Sequence, residues 1–206
     1  LGIMNSHQYT EHMNILIVTA HPSSKGDTHT IAKTYADAKI EKGHTVEIMN
    51  LYAPEYANPY FAFENIREYE LSPVQKKFHE KMIWANEIVV VHPVFWNSVP
   101  AIMKNWIDLT IWPRVAYRYS PEGKVMKLFE GKTAKVFATS GGPSWWFYFP
   151  FVLPLRTFWE LCVFGFCGVD LIDFQVCGNM DKWKDEKRAN HLANFLKRVK
   201  KSAQKI

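Results

Sequence analysis

Cysteine is scarce, with three residues in 206, and no two of them have the spacing of paired metal ligands. Cys162, Cys167 and Cys177 sit among apolar neighbours, which reads as buried thiols in a reducing, cytoplasmic compartment. No apolar run is long enough to span a membrane. The most aromatic stretch, Trp145 to Phe166, is interrupted by Pro150, Pro154, Arg156 and Glu160, which excludes insertion. No signal peptide, internal repeat or linker is visible.

A hydrophobic fraction of 48% and a charged fraction of 22% are ordinary for a globular chain, and 206 residues fit one domain with a substantial core. Residues 1–12 are polar and precede Met13; they read as an extension, with 13–206 as the single domain. The net charge of +5 suits an anionic ligand. Much of the excess is Lys197, Arg198, Lys200, Lys201 and Lys205, on one late helix. A solvated face accounts for those charges, so nucleic acid is not an expected partner.

Aromatic residues, by contrast, are abundant at 15%, and apolar runs alternate with helical patterns. Ile15 to Thr19 are apolar or small, and Glu87 to Pro93 carries a second unbroken apolar run, as strands covered on both faces do. Thr133 to Ala138 reads as a third central strand, His44 to Met49 as an edge strand, and Val169 to Val176 as a fifth strand. Helical faces are set by Ile31, Ala32, Tyr35 and Ala36, ended by Gly43, and by Val74, Phe78 and Met82 behind a Ser72-Pro73 start. Others carry Ile102, Trp106 and Leu109, span Leu155 to Phe164, or carry Ala189, Leu192, Leu196 and Val199. Tyr52 to Tyr69 is a long loop, and Trp112 to Gly123 reads as irregular. Five alternations of strand and helix predict an α/β fold with a doubly wound five-stranded parallel sheet. Its order is 2-1-3-4-5, the flavodoxin-like winding, and the crevice opens where that order switches, between strands one and three.

Three loops converge on that crevice. The first, after Ala20, precedes a helix, so its amides around Gly26 and Asp27, with the Thr28 hydroxyl and His21, could cradle a phosphate. Asp27 would repel it unless the carboxylate turns to solvent or caps the helix. The same stretch also reads as an ordinary βα loop, and it is the convergence that favours an anion site. The second loop holds Val94, Phe95, Trp96 and Asn97 between Pro93 and Pro100, stiff enough to present amides and an indole face to a planar heterocycle. Phe95 and Trp96 also read as core plugs. The third, Thr139-Ser140-Gly141-Gly142, could aim N–H groups at an electron-rich ring edge and steady a reduced flavin's negative charge.

With these loops in view, the chain resembles the flavodoxin-like NAD(P)H:quinone oxidoreductases, short bacterial type, from Met13 to about residue 200. The likeness rests on AHPSSKGDTH (Ala20 to His29), HPVFWNSVPAIMKNWID (His92 to Asp108), VAYRY (Val115 to Tyr119), ATSGG (Ala138 to Gly142) and FCGV (Phe166 to Val169). It implies flavin phosphate contacts at His21, Asp27 and Thr28, and isoalloxazine contacts at Val94, Phe95, Trp96 and Asn97. It also implies pyrimidine-edge contacts at Thr139, Ser140, Gly141 and Gly142, and substrate-lining Tyr117 and Tyr119 contributed across a homodimer interface. Gly26, Asp27 and Thr28 stand where the family usually has Ser-Phe-Asn. The family's tyrosine after the glycine pair is replaced near Phe147, and no histidine follows between Gly142 and Leu171.

The activity implied is two-electron, ping-pong hydride transfer from NAD(P)H to quinones or similar flat acceptors. Trp96, Tyr117, Tyr119 and Phe147 would form the acceptor slot, with Trp145 or Trp146 beside them. FMN is favoured over FAD because the chain is short. The alternative is a flavin-bearing ancillary subunit of a potassium efflux transporter, which would dock through the basic tail and aromatic patch.

Overall fold

Strand β1 (Asn14–Thr19) has no water on either face: Ile15, Leu16, Ile17, Val18 and Thr19 are all 0% exposed. Leu16 and Val18 belong to one core, Ile15 and Ile17 to the other, because successive side chains of a strand point oppositely. Each apolar side chain so buried contributes roughly 1.5–3 kcal/mol, enough to fix this strand at the centre. The computed structural model describes residues 11–66, 68–148, 155–182 and 184–205. Residues 1–10, most of the expected extension, lie outside the described residues, as do Pro150 and Pro154.

The five long strands, all parallel, run in the order β2-β1-β3-β6-β7. They are β1, β2 (Thr45–Asn50), β3 (Glu87–Pro93), β6 (Thr133–Thr139) and β7 (Asp170–Cys177). In chain sequence that order is 2-1-3-4-5. Helix α1 (Asp27–Ile40) and the final helix (Asp185–Ala203) cover one face, where Tyr35, Phe137, Phe195 and Val199 meet. Helices α2 (Pro73–Trp84) and α3 (Ala101–Thr110) cover the other, with Phe78, Met82, Trp106 and Leu109 buried. Ser72 caps α2 by accepting from the Gln75 amide at 3.0 Å, with Pro73 as first helical residue. No described helix is long and apolar enough to cross a membrane.

Three expectations need correction. Tyr117–Tyr119 and Val125–Lys127 form a short antiparallel ribbon, β4 and β5, where an irregular segment was expected. Three-residue strands are too short to show a period. Ala189 is exposed, and the buried face of the final helix is made by Phe195, Val199, Ser202 and Ala203. Cys162 is exposed. It lies on a π-helical stretch, Phe158–Phe164, that turns it and Leu161 outward while Trp159 and Val163 point in. Only Cys167 and Cys177 are buried thiols, pushed up to about 12 and about 11 by burial.

At the end of the sheet away from the crevice, Glu87 is 1% exposed and collects three donors. The Tyr35 hydroxyl donates to it at 2.6 Å, and the Lys39 and Lys135 ammonium groups lie at 3.2 and 3.4 Å. Lys135 also donates to the Ser202 carbonyl at 2.8 Å, which ties the last turn of the final helix to β6. Burial holds the Tyr35 hydroxyl above, and the Lys135 ammonium below, their ordinary ranges. Removing the one carboxylate strands two buried cations. Glu87→Gln is therefore expected to lower unfolding free energy by roughly 3–5 kcal/mol in urea titrations.

His92, 0% exposed near the end of β3, donates through Nδ1 to the Pro93 carbonyl at 2.8 Å and accepts at Nε2 from the Trp159 indole at 3.2 Å. Burial lowers its pKa from 6.5 to about 4. With the folded value depressed, the unfolded chain takes the proton first, so stability from this group is level above 6.5 and falls towards 4. The expected loss between about pH 7.5 and about pH 5 is about 2 kcal/mol. The stability difference between the native chain and His92→Gln, measured across that window, is expected to shrink by that amount.

Candidate functional site

Strand β1 ends at Thr19, and its exit loop folds back on the His21 ring. The Ser23 amide donates to His21 Nδ1 at 3.0 Å, and the Gly26 amide donates to the Ser23 carbonyl at 3.1 Å. A Cβ at Gly26 would stand 2.3–2.5 Å from the imidazole, so only glycine lets the ring lie against the loop. The Gly26 amide is thus already bonded, and the free donors lie one residue on. Helix α1 starts at Asp27 with Gly26 as N-cap, and no side chain caps it. First-turn amides without an intrahelical partner are thereby left at the positive end of the helix dipole.

The Thr28 side chain is fully buried, and its Oγ1 has no hydrogen-bond partner among the described residues; the same holds for Thr19 Oγ1 at the strand end. A buried hydroxyl without a partner costs roughly 1–3 kcal/mol, and a phosphate oxygen at this helix start would satisfy it. The residues present therefore fit a phosphate group. Asp27 neither faces solvent alone nor caps the helix. Its carboxylate pairs with Arg188, from the first turn of the final helix, which offsets the charge that would repel a phosphate.

Loop two leaves β3 through Val94, whose amide donates to the Thr139 carbonyl at 2.8 Å and so ties it to loop three. Phe95 and Ser98 exchange both backbone hydrogen bonds, at 3.0 and 2.9 Å, closing a two-residue turn. Trp96 and Asn97 occupy it with φ of 50° and 58°. Left-handed backbone suits Asn and is costly for Trp. Such strain persists where the surroundings over-determine it, commonly at ligand sites. Trp96 is 100% exposed and Phe95 41%, so neither is a core plug.

Loop three has fewer free donors than a nest would need. The Ser140 amide donates to the Cys177 carbonyl at 3.0 Å and the Gly142 amide to Ser140 Oγ at 3.0 Å. Of Ser140, Gly141 and Gly142, the Gly141 amide is the one without a partner among the described residues. A fourth loop, following β7, clamps the third: Asn179 and Met180 donate to the carbonyls of Gly142 and Ser140 at 2.8 and 2.9 Å. A Cβ at Gly141 would lie 2.2 Å from Asp181 Oδ2, so this carboxylate covers the glycine. Sequence reasoning missed Asp181 and Arg188. The Gly178-Asn179 pair, with Asn179 at φ 58°, is the turn signal that could have found this loop. Arg188, one cation among many on its helix, carries no such signal.

The expected substrate residues divide. Trp145 and Trp146 are 59% and 40% exposed beside loop three, with Trp146 near Gly142. Phe147 is 1% exposed and packs in the core, so it has no face to offer an acceptor. Its neighbours Trp145 and Trp146 carry the exposed surface. Tyr117 packs against Phe166 and Tyr119, with centroids at 4.9 and 5.8 Å. It lines a separate groove of about 400 Å³ with Phe61, Ile107, Ile111, Phe158 and Cys162. A further cavity of about 470 Å³ lies between β7 and the final helix, lined by Lys135, Asp173, Arg198 and Lys201, and contains none of the loop residues. No cluster of three or more His, Cys, Asp or Glu suited to a metal occurs among the described residues.

Comparison with known proteins identifies the family and the fold. An uncharacterised NAD(P)H oxidoreductase of Haemophilus influenzae is 25% identical over 181 residues, covering 85% of this chain and 89% of its own. An FMN-dependent NADH:quinone oxidoreductase of Vibrio parahaemolyticus is 35% identical over 96 residues, 46% of each chain. An FMN-dependent NADH-azoreductase of Bacillus anthracis, solved with FMN, superposes with a TM-score of 0.70 at 20% identity, covering 93% of this chain and 97% of its own. The family described as having a flavodoxin-like fold matches residues 13–202, and the chain belongs to it.

Proposed function

We propose that this chain is an FMN-dependent NAD(P)H:quinone oxidoreductase, and the observation that carries the reading is the partnerless, buried Thr28 hydroxyl at an uncapped helix start. Bound flavin would supply the two-electron hydride chemistry; position and charge are left to the chain. The first-turn amides of α1, Thr28 Oγ1 and His21 hold the phosphate, with Gly26 giving the ring of His21 its seat and Arg188 quenching Asp27. Pro93 and Val94 fix the height of loop two, while Phe95, Trp96 and Asn97 present backbone and aromatic surface to the tricyclic ring. Thr139, Ser140, Gly141 and Gly142 meet its pyrimidine edge, where the Gly141 amide is the available donor.

Trp96, Trp145 and Trp146 bound an open slot in which nicotinamide and a flat quinone would take turns. A homodimer completes that slot. Tyr117 lines its own groove within one chain and packs against Tyr119, and a second copy seated on that aromatic rim would bring the tyrosines to the partner's crevice.

Thr28→Val keeps the shape and removes the hydroxyl. A hydrogen bond to a charged group is worth about 1.5–3 kcal/mol, so FMN is expected to bind about ten- to a hundredfold more weakly in calorimetric titration. Riboflavin, lacking the phosphate, is expected to bind the two proteins alike. Equal FMN affinity would remove the phosphate cradle from the proposal.

One shared slot also predicts parallel initial-velocity lines when NAD(P)H and a benzoquinone are varied together. Intersecting lines would require separate sites, and flavin-loaded protein that does not turn over would favour the ancillary-subunit reading. Light scattering is expected to give twice the mass of one chain, 24.0 kDa.

A further inference from the structure

We infer that Asp181 sets the reducing strength of this site by placing a fixed negative charge against the pyrimidine edge of the ring, an inference that rests on the flavin reading above. Of the Ser140–Gly142 amides, that of Gly141 is the one without a partner among the described residues, and the Asp181 carboxylate lies directly on that glycine. The loop after β7 holds it there: the Met180 amide, one residue before, is bonded to the Ser140 carbonyl at 2.9 Å. Arg188, the cation identified nearby on the final helix, is committed to Asp27.

Hydride transfer from NAD(P)H moves two electrons and one hydrogen to the ring and releases NAD(P)+. Bound flavin that has taken the hydride would carry a negative charge at its pyrimidine edge. Asp181 is of the same sign, so it disfavours that charge, whereas the oxidised ring is neutral and scarcely senses it. The reduced state is therefore held less tightly than the oxidised one, and by linkage the potential is lowered. A lowered potential favours passage of the electrons to an acceptor in the second half of the cycle. The carboxylate is exposed, so salt screens part of the effect.

The test is the midpoint potential of the flavin-loaded protein, native and Asp181→Asn, together with calorimetric FMN affinity for the oxidised form. The expected result is an oxidised FMN affinity within about twofold of native and a hold on reduced flavin up to about tenfold tighter. Tenfold raises the potential by about 30 mV for a two-electron couple. The native potential is expected to climb with added salt and the variant's to stay flatter. A structural role alone would change both affinities together and leave the potential where it was. Identical or lower potential in the Asn variant overturns this inference and leaves the flavin reading standing. A native chain that takes up neither FMN nor FAD overturns both.

Discussion

Water is excluded from both faces of β1 and β3, and the rest of the site depends on that exclusion. Two central strands with every apolar side chain buried can be satisfied only by helices on both sides of a parallel sheet. Parallel strands in turn send all their exits to one edge. With β1 beside β3 and β3 beside β6, the starts of α1, the Phe95–Ser98 turn and the Ser140–Gly142 loop must meet. The loops are held by few direct bonds to each other, chiefly Val94 to Thr139. Their mutual position is inherited from the sheet, so packing far below the crevice decides where the amides point.

The opposite end of the sheet shows what that rigidity requires. Glu87, Lys39, Lys135 and Tyr35 form a buried polar knot where β1, β3, β6 and two helices begin or end. Buried ion pairs are weak contributors to net stability yet strict about geometry. Here Lys135 reaches the last carbonyls of the final helix, and the first turn of that same helix carries Arg188 to Asp27. One rigid rod thus connects the polar knot to the phosphate loop.

Most of the sheet was legible because strands buried on both faces leave an unmistakable run of apolar residues. Helix α2 was legible from its Ser-Pro start, and the three loops from their Gly, Pro and Asn content. Long-range pairs carry no such local signature. Nothing near Asp27 indicates that a helix over 150 residues later supplies its partner, and Lys39 and Lys135 look like surface residues in helix and strand. The β4–β5 ribbon was too short for its period to register. Phe147 was misplaced because a residue aligned with a catalytic position need not face the site. The backbone after Gly142 turns its neighbours Trp145 and Trp146 outward and Phe147 in. In the final helix, Ala189 is apolar yet exposed, and the buried stripe starts only at Phe195.

Several local rules are broken at the crevice. There the Thr19 and Thr28 hydroxyls are buried without partners among the described residues, a tryptophan sits in left-handed backbone, a helix starts without a side-chain cap, and a carboxylate leans on a glycine. Each carries a stability cost that the well-packed sheet can absorb, and each has a ligand-side reason. On the proposed reading the hydroxyl and the open helix start would receive an anion, the strained turn would hold an indole against the ring, and the carboxylate would oppose charge on a reduced ring. The first two would favour binding of a phosphorylated ring, and the last would disfavour its reduced form. A site that grips the phosphate firmly while making the reduced ring uncomfortable suits a protein that must keep its cofactor and give the electrons away.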